Sequence, residues 1–157
     1  MSDKTVYLAG GCFWGCQKYF DMLPGVVETE VGYANGPTSN PSYEQVKAHA
    51  GHAETVRVRY DPDALPLPAL LEAFFRVIDP TSVNKQGEDE GVQYRTGIYY
   101  TDEKDRAVAA AALDRLAEGY EAPLAVELKP LESFYSAEAY HQKYLEKHPG
   151  GYCHIKF

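Results

Sequence analysis

The sequence predicts a mixed α/β or α+β fold. Short alternating segments of strand character are interleaved with segments whose apolar residues recur at helical spacing, and no internal repeat or low-complexity stretch interrupts them. A chain of 157 residues is also long enough to bury one core without a covalent staple. One domain over residues 1–157 is therefore expected.

Thr5 to Ala9 reads as a short buried strand broken by Gly10-Gly11. Phe13, Cys16, Tyr19, Phe20 and Leu23 then follow helical spacing, which predicts a helix over Phe13 to Met22, ended by Pro24-Gly25, and puts Cys12 at a strand-to-helix turn. Val26 to Tyr33 alternates as a strand before a turn-rich stretch from Ala34 to Pro41, and Ser42 is placed to cap a helix through about Ala48. In Glu54 to Tyr60 the alternation sets Glu54 on one face with Val56, Val58 and Tyr60. Pro66 suits a helix first turn, and Leu67, Leu70, Leu71, Phe74, Phe75 and Ile78 form an apolar stripe that should lie against the sheet. Pro, Ser, Asn, two Gly and four acids predict a loop from Asp79 to Gln93, long enough to suggest a functional reason. Thr96 to Tyr100 reads as a strand, Asp102 to Glu118 as an Ala-rich helix, Ala125 to Leu128 as a last short strand and Ala137 to Lys147 as a helix. Pro149-Gly150-Gly151 opens a tail expected to be mobile over 148–157.

The net charge of −8 argues against nucleic acid or an anionic membrane as partner. The longest apolar run, Ala107 to Leu113, falls far short of the roughly 18 residues of a membrane span, and Met1-Ser2-Asp3-Lys4 carries no signal-peptide pattern, so a cytoplasmic protein is expected. In a reducing compartment its three cysteines would persist as thiols and as candidates for reactivity. Thirteen tyrosines against one Trp and six Phe hint at a polar site with aromatic walls.

Cys12 follows two glycines and opens a helix, where unpaired N–H groups and the positive dipole end would lower the thiol pKa below its usual value of about 8.5. The alternative is a small buried hydrophobe. Phe13-Trp14 is either ordinary core or the greasy wall of a pocket beside the nucleophile. Glu54 aligns with apolar neighbours, so its carboxyl would be desolvated and its pKa raised towards the range of a general acid, unless it stands at an exposed strand end. His49 and His52 show no ligand spacing and read as surface or turn residues. Cys12, Cys16 and the pair Cys153-His154 also permit a zinc reading, although the first pair would lie within one helix. A tyrosine-rich binding module without catalysis is the third class.

Gly11-Cys12-Phe13-Trp14-Gly15 resembles the signature of the peptide-methionine sulfoxide reductase A family. The likeness continues, in order, through Val31 to Gly36, Asn40 to Val46, Gly51 to Glu54, Gln86 to Asp89, Gln93-Tyr94-Arg95 and Ala139 to Tyr144, covering nearly the whole chain. The resemblance implies a ferredoxin-like two-layer sandwich acting on free or protein-bound methionine sulfoxide of S configuration at sulfur, with no cofactor or metal. It implies that Cys12 is the nucleophile, Glu54 the acid, Tyr43 and Tyr94 hydroxyls that bond the sulfoxide oxygen, Asp89 a carboxylate lining the site, and Phe13 and Trp14 the walls for the methyl group. Cys16 and the acidic run Glu88-Asp89-Glu90-Gly91 depart from the family pattern.

The chemistry asks for such a set, because a sulfoxide oxygen leaves only when protonated, and an acid with two hydroxyl donors offsets the charge developing on it. A second thiol must then condense with the Cys12 sulfenic acid. Cys12 and Cys16, at i and i+4 of one helix, do not meet disulfide geometry without unwinding a turn. Cys153, behind two glycines in the tail and similar to the family's C-terminal resolving cysteine, is the expected partner, with thioredoxin as reductant and a monomer as the working unit.

Overall fold

In the computed structural model, residues 3–48, 51–87, 89–148 and 151 are described. Strand β1 (Lys4–Gly10) runs into helix α1 (Phe13–Asp21) and strand β2 (Val26–Ala34). Helix α2 (Tyr43–Lys47) and strand β3 (Ala53–Tyr60) follow, then helix α3 (Leu67–Phe75). A short ladder of β4 (Lys85–Gln86) with β5 (Asp89–Glu90) precedes strand β6 (Thr96–Tyr100) and helix α4 (Glu103–Ala117). Strands β7 (Glu127–Pro130) and β8 (Phe134–Ser136) and helix α5 (Tyr144–Lys147) complete the order.

Six strands form one mixed sheet in the order β7-β6-β1-β3-β2-β8. Only the β6–β7 pair is parallel. The period-two alternation gives each strand two different faces. On one, Val6, Leu8, Val31, Val56, Val58 and Tyr60 meet Phe20, Leu70, Leu71 and Phe74 from α1 and α3 in the main core. Each such side chain removed from water contributes about 1.5–3 kcal/mol. The other face carries a smaller cluster of Ala9, Ala34, Ala53 and Tyr99, covered by Tyr7, Leu131 and Phe134. No helix of the described residues is long and apolar enough to cross a membrane.

Several elements differ from expectation. The stretch from Asp79 to Gln93 is not a plain loop: it holds the β4–β5 ladder and a 3₁₀ turn, Val92–Tyr94. Gln86, buried there, accepts from Asp79 N (2.8 Å) and donates to Asp79 O (2.8 Å) and Thr96 Oγ1 (3.0 Å), anchoring the excursion to β6. The helix expected from Ala137 to Lys147 is broken into a 3₁₀ turn, Ala139–His141, and α5, because Lys143 sits at φ +57°. Tertiary bonds hold it so: Lys143 N donates to Gln17 Oε1 (2.7 Å) and Nζ to Asp21 Oδ2 (2.6 Å). Strand β8 was not anticipated, and β7 begins two residues later than expected. Of the tail at 148–157, only His148 and Gly151 fall within the described residues, and Cys153 and His154 lie outside them.

Candidate active site

Gly11, at φ +86°, supplies the left-handed turn that brings β1 into α1, and Cys12 stands as the N-cap of that helix. Phe13 N donates to Glu54 Oε1 (3.2 Å), while the Trp14 amide faces the Cys12 sulfur without closing a capping hydrogen bond. The helix start is thus divided between the Cys12 thiol and the Glu54 carboxyl.

That division corrects the expected thiol chemistry. Cys12 is 7% exposed, and its pKa lies well above the ordinary thiol value rather than below it. Burial is the main cause, the Glu54 and Asp89 charges add to it, and the Trp14 amide only partly opposes them. At neutral pH Cys12 is therefore a thiol.

Glu54 matches its expected role more closely. It is 1% exposed, and burial pushes its carboxyl up to about 8, with the Phe13 amide pulling it down and Asp89 raising it. Its Oε2 is buried with no hydrogen-bond partner among the described residues. A carboxyl in this setting carries its proton at neutral pH and keeps one oxygen unpartnered among the described residues.

The two hydroxyls arrive from separate elements. Tyr43 opens α2, whose capping box joins Gln45 N to Ser42 Oγ (3.2 Å) and Ser42 N to Gln45 Oε1 (2.9 Å). Its own N–H donates to Glu138 Oε2 (2.9 Å), and Glu138 Oε1 accepts from Tyr33 Oη (2.8 Å). Tyr94 ends the Val92–Tyr94 turn. Burial raises both phenol pKa values, and both rings feel the charges of Glu54 and Cys12, which gathers these four side chains into one electrostatic neighbourhood. Asp89, from β5, raises Cys12, Glu54 and Tyr94 together and so belongs to the same neighbourhood.

The aromatic wall extends beyond Phe13 and Trp14. Phe13 is 1% exposed, its ring 5.7 Å from Tyr33 and 5.3 Å from His141. Trp14 stacks on Tyr144 at 3.8 Å, and its indole N–H donates to His141 Nδ1 (2.9 Å). His141, fully buried, also packs against Tyr43 at 4.2 Å. Burial lowers its pKa, and an Nδ1 that accepts from Trp14 leaves the proton of the neutral ring on Nε2. Residues Glu138, His141 and Tyr144 were given no role in the sequence analysis. His141 and Tyr144 lie in the block from Ala139 to Tyr144 and Glu138 just before it, but a regular helix over 137–147 hides the approach of this segment to α1 and β2.

Of the remaining candidates, Cys16 adjoins this cluster and adds to the rise of the Cys12 pKa, whereas the histidines stand apart. Cys16 lies one turn into α1, 1% exposed, its thiol donating to Gly10 O (3.2 Å). His52, expected on the surface, is fully buried and bonded through Nε2 to Thr38 Oγ1 (2.8 Å). His49 lies outside the described residues. Among the described residues no three His, Cys, Asp or Glu side chains are grouped to hold a metal ion.

Comparisons with known proteins place this cluster in a family. The family model described as peptide methionine sulfoxide reductase matches residues 4–157. The peptide methionine sulfoxide reductase MsrA of Lachnoclostridium phytofermentans is 59% identical over 154 residues, 98% of this chain and 93% of that protein. The crystal structure of Mxr1 from Saccharomyces cerevisiae in reduced form superposes with a TM-score of 0.94 at 36% identity, covering 99% of this chain and 92% of that one. The structure of Mxr1 in complex with Trx2 gives 0.65 at 26% identity, over 90% and 84% of the two chains. Matched by the family model and by its relatives over almost its full length, this chain belongs to the peptide methionine sulfoxide reductase family.

Proposed function

We propose that the protein reduces the S epimer, at sulfur, of free and protein-bound methionine sulfoxide, with Cys12 as nucleophile and Glu54 as proton donor. The observation that carries this reading is the buried Glu54 carboxyl, bonded to the amide next to the nucleophile and pushed up to about 8. The sulfoxide oxygen is received by Glu54 Oε2 and by the Tyr43 and Tyr94 hydroxyls, while Phe13 and Trp14 enclose the methyl group and Asp89 lines the site. Donors on one side and an apolar wall on the other determine the handedness accepted at sulfur.

As the Cys12 sulfur attacks the substrate sulfur, Glu54 passes a proton to the oxygen, Cys12 gives up its own, and the Trp14 amide supports the charge developing on Cys12. The attack joins the two sulfurs, the substrate S–O bond breaks, and the oxygen bonds to the Cys12 sulfur as the sulfur–sulfur bond opens, so that methionine leaves and Cys12 remains as a sulfenic acid. Two electrons move from Cys12 to the substrate, and no net proton is consumed. Cys153 then condenses with the sulfenic acid, expelling water and forming a disulfide, and the dithiol of a thioredoxin restores both thiols. The Mxr1 complex with Trx2 supports a thioredoxin in that role.

Three finer readings accompany it. The order β6-β1-β3-β2, with α1 between β1 and β2 and α3 between β3 and β6, supports a ferredoxin-like two-layer sandwich. Residues 1–157 act as one catalytic domain, with 148–157 as the tail that carries Cys153. The working unit is a monomer in this reading, and the thiol chemistry suits the cytoplasm. The test is turnover of the separated sulfoxide epimers with dithiothreitol. Consumption of the S epimer alone is expected, and equal turnover of both refutes the reading.

A further inference from the structure

The Arg95 guanidinium joins three separate segments. Its Nε donates to Glu127 Oε1 (2.8 Å), its Nη1 to Val92 O (2.9 Å) and its Nη2 to Asn35 O (3.1 Å), with the side chain 13% exposed. Each acceptor is itself fixed. Glu127 Oε1 also accepts from Tyr99 Oη (2.8 Å), at the start of β7. Val92 O closes the 3₁₀ turn that ends in Tyr94, accepting the Arg95 N–H as well (3.3 Å). Asn35 holds φ +52°, and its side chain accepts from Glu132 N (2.7 Å) and donates to Pro130 O (3.1 Å).

Asn35 is also the point where the chain leaves β2, two residues after Tyr33, which pairs in register with Glu54 on β3. From Asn35 the chain runs on to Ser42 and Tyr43. A planar fork that satisfies three acceptors in different directions fixes its surroundings in a way an ammonium does not. Tyr94 by contrast sits on a three-residue turn, with little regular structure of its own to hold it.

We infer that Arg95 is a positioning residue for reductase chemistry, tying the Tyr94 turn to the strand end beside Glu54 so that the Tyr94 hydroxyl and the acid address the same oxygen. The inference rests on the role proposed above for Tyr94. Arg95 touches no reacting atom. It acts through Tyr94, and an error of about 1 Å in such a group costs about 10²-fold in rate.

The test is a double-mutant cycle on single-turnover sulfoxide reduction by the full chain, with Arg95→Lys and Tyr94→Phe singly and together. Active enzyme is counted by Cys12 alkylation, so a loss of folded protein is normalised out. Arg95→Lys should slow the step about 10- to 10²-fold with Tyr94 present and less than about 2-fold in the Tyr94→Phe background. Glu127→Gln, which weakens the Arg95 anchor while keeping an acceptor for Tyr99, should show the same dependence at smaller amplitude. Equal factors in both backgrounds, or no effect of Arg95→Lys, overturn the inference while leaving Tyr94 its role. If Tyr94→Phe alone leaves the rate unchanged, the role of Tyr94 falls and the inference falls with it.

Discussion

Replacing Glu54 by Gln preserves the shape of the side chain and an acceptor for Phe13 N, but removes the transferable proton. With a pKa of about 8, the carboxyl is about nine-tenths protonated at pH 7; at the ordinary value of 4.5 it would be about 0.3% protonated, so burial enlarges the proton-bearing population about 300-fold. Losing a positioned acid lowers the rate by about 10²–10⁴-fold, and that is the expected fall in single-turnover reduction for Glu54→Gln. Cys12 should respond in the opposite sense. The Glu54 charge is one of the causes that raise its pKa, so in the variant alkylation of Cys12 should begin at lower pH. In the wild type, reduction should decline as pH rises through about 8, whereas a bare thiol would become faster. Stability carries the same signature. A folded-state pKa above the unfolded one means that protonation favours the fold, so this contribution is full below about 4.5 and lost as pH rises through 8, the loss amounting to about 3 kcal/mol by pH 7. Glu54→Gln should flatten that slope in denaturant titrations. An unchanged reduction rate at pH 7, or a wild-type rate still climbing from pH 7 to 9, would refute the acid role.

Three further outcomes are expected. Cys153→Ser, given substrate without reductant, should release about one methionine per chain, leave a sulfenic acid on Cys12 and fail to cycle with thioredoxin; peptide mapping that finds a Cys12–Cys16 disulfide in a variant that still cycles would assign resolution to Cys16. His141→Phe removes the acceptor of the Trp14 indole, a partner lost at about 1–3 kcal/mol, and should lower kcat/KM by about tenfold, mostly through KM; a loss confined to kcat would contradict a role in seating Trp14. Gly36→Ala puts a Cβ 2.3 Å from the His52 ring, which is buried and tied to Thr38, and should cost about 1–3 kcal/mol in thermal unfolding, so an unchanged Tm would show that the ring yields.

What could be read from the sequence was whatever local rules decide. Gly11 had to turn the chain, Ser42 had a capping partner three residues on, and the alternation through Tyr60 carried Glu54 into the core. The misreadings fall where distant groups outvote local preference. Residues 137–147 have helical composition, but Gln17 and Asp21 hold Lys143 in a left-handed conformation. Gln142 bonds both Val31 N (3.0 Å) and Val31 O (2.9 Å) through its side chain, fastening the segment to β2 as a neighbouring strand would. His52 looks like a turn residue in sequence, and it becomes buried only because Gly36 leaves room for its ring. The thiol pKa was misjudged for a related reason: the helix start was visible in the sequence, but the depth of burial and the neighbouring carboxylates were not.

The reversal at Cys12 bears on how the site works. Two acidic groups share a buried site, and α1 offers each of them one amide, Phe13 N to Glu54 and Trp14 N towards Cys12. Neither amide suffices to hold a charge against that burial, so both groups rest protonated near neutrality, with the carboxyl the more acidic of the two. The reaction needs just this balance. Turning thiol and sulfoxide into sulfenic acid and thioether neither releases nor consumes a proton, so Glu54 can protonate the oxygen and be reprotonated at the expense of the thiol. A thiolate stabilised permanently by both amides would lack that second proton and would place a standing negative charge beside the acid, raising its pKa and weakening it as a donor. In the proposed mechanism, sharing the helix start keeps Cys12 protonated until a polar oxygen enters, and the oxygen that draws the Glu54 proton is the one whose departure the thiol then completes.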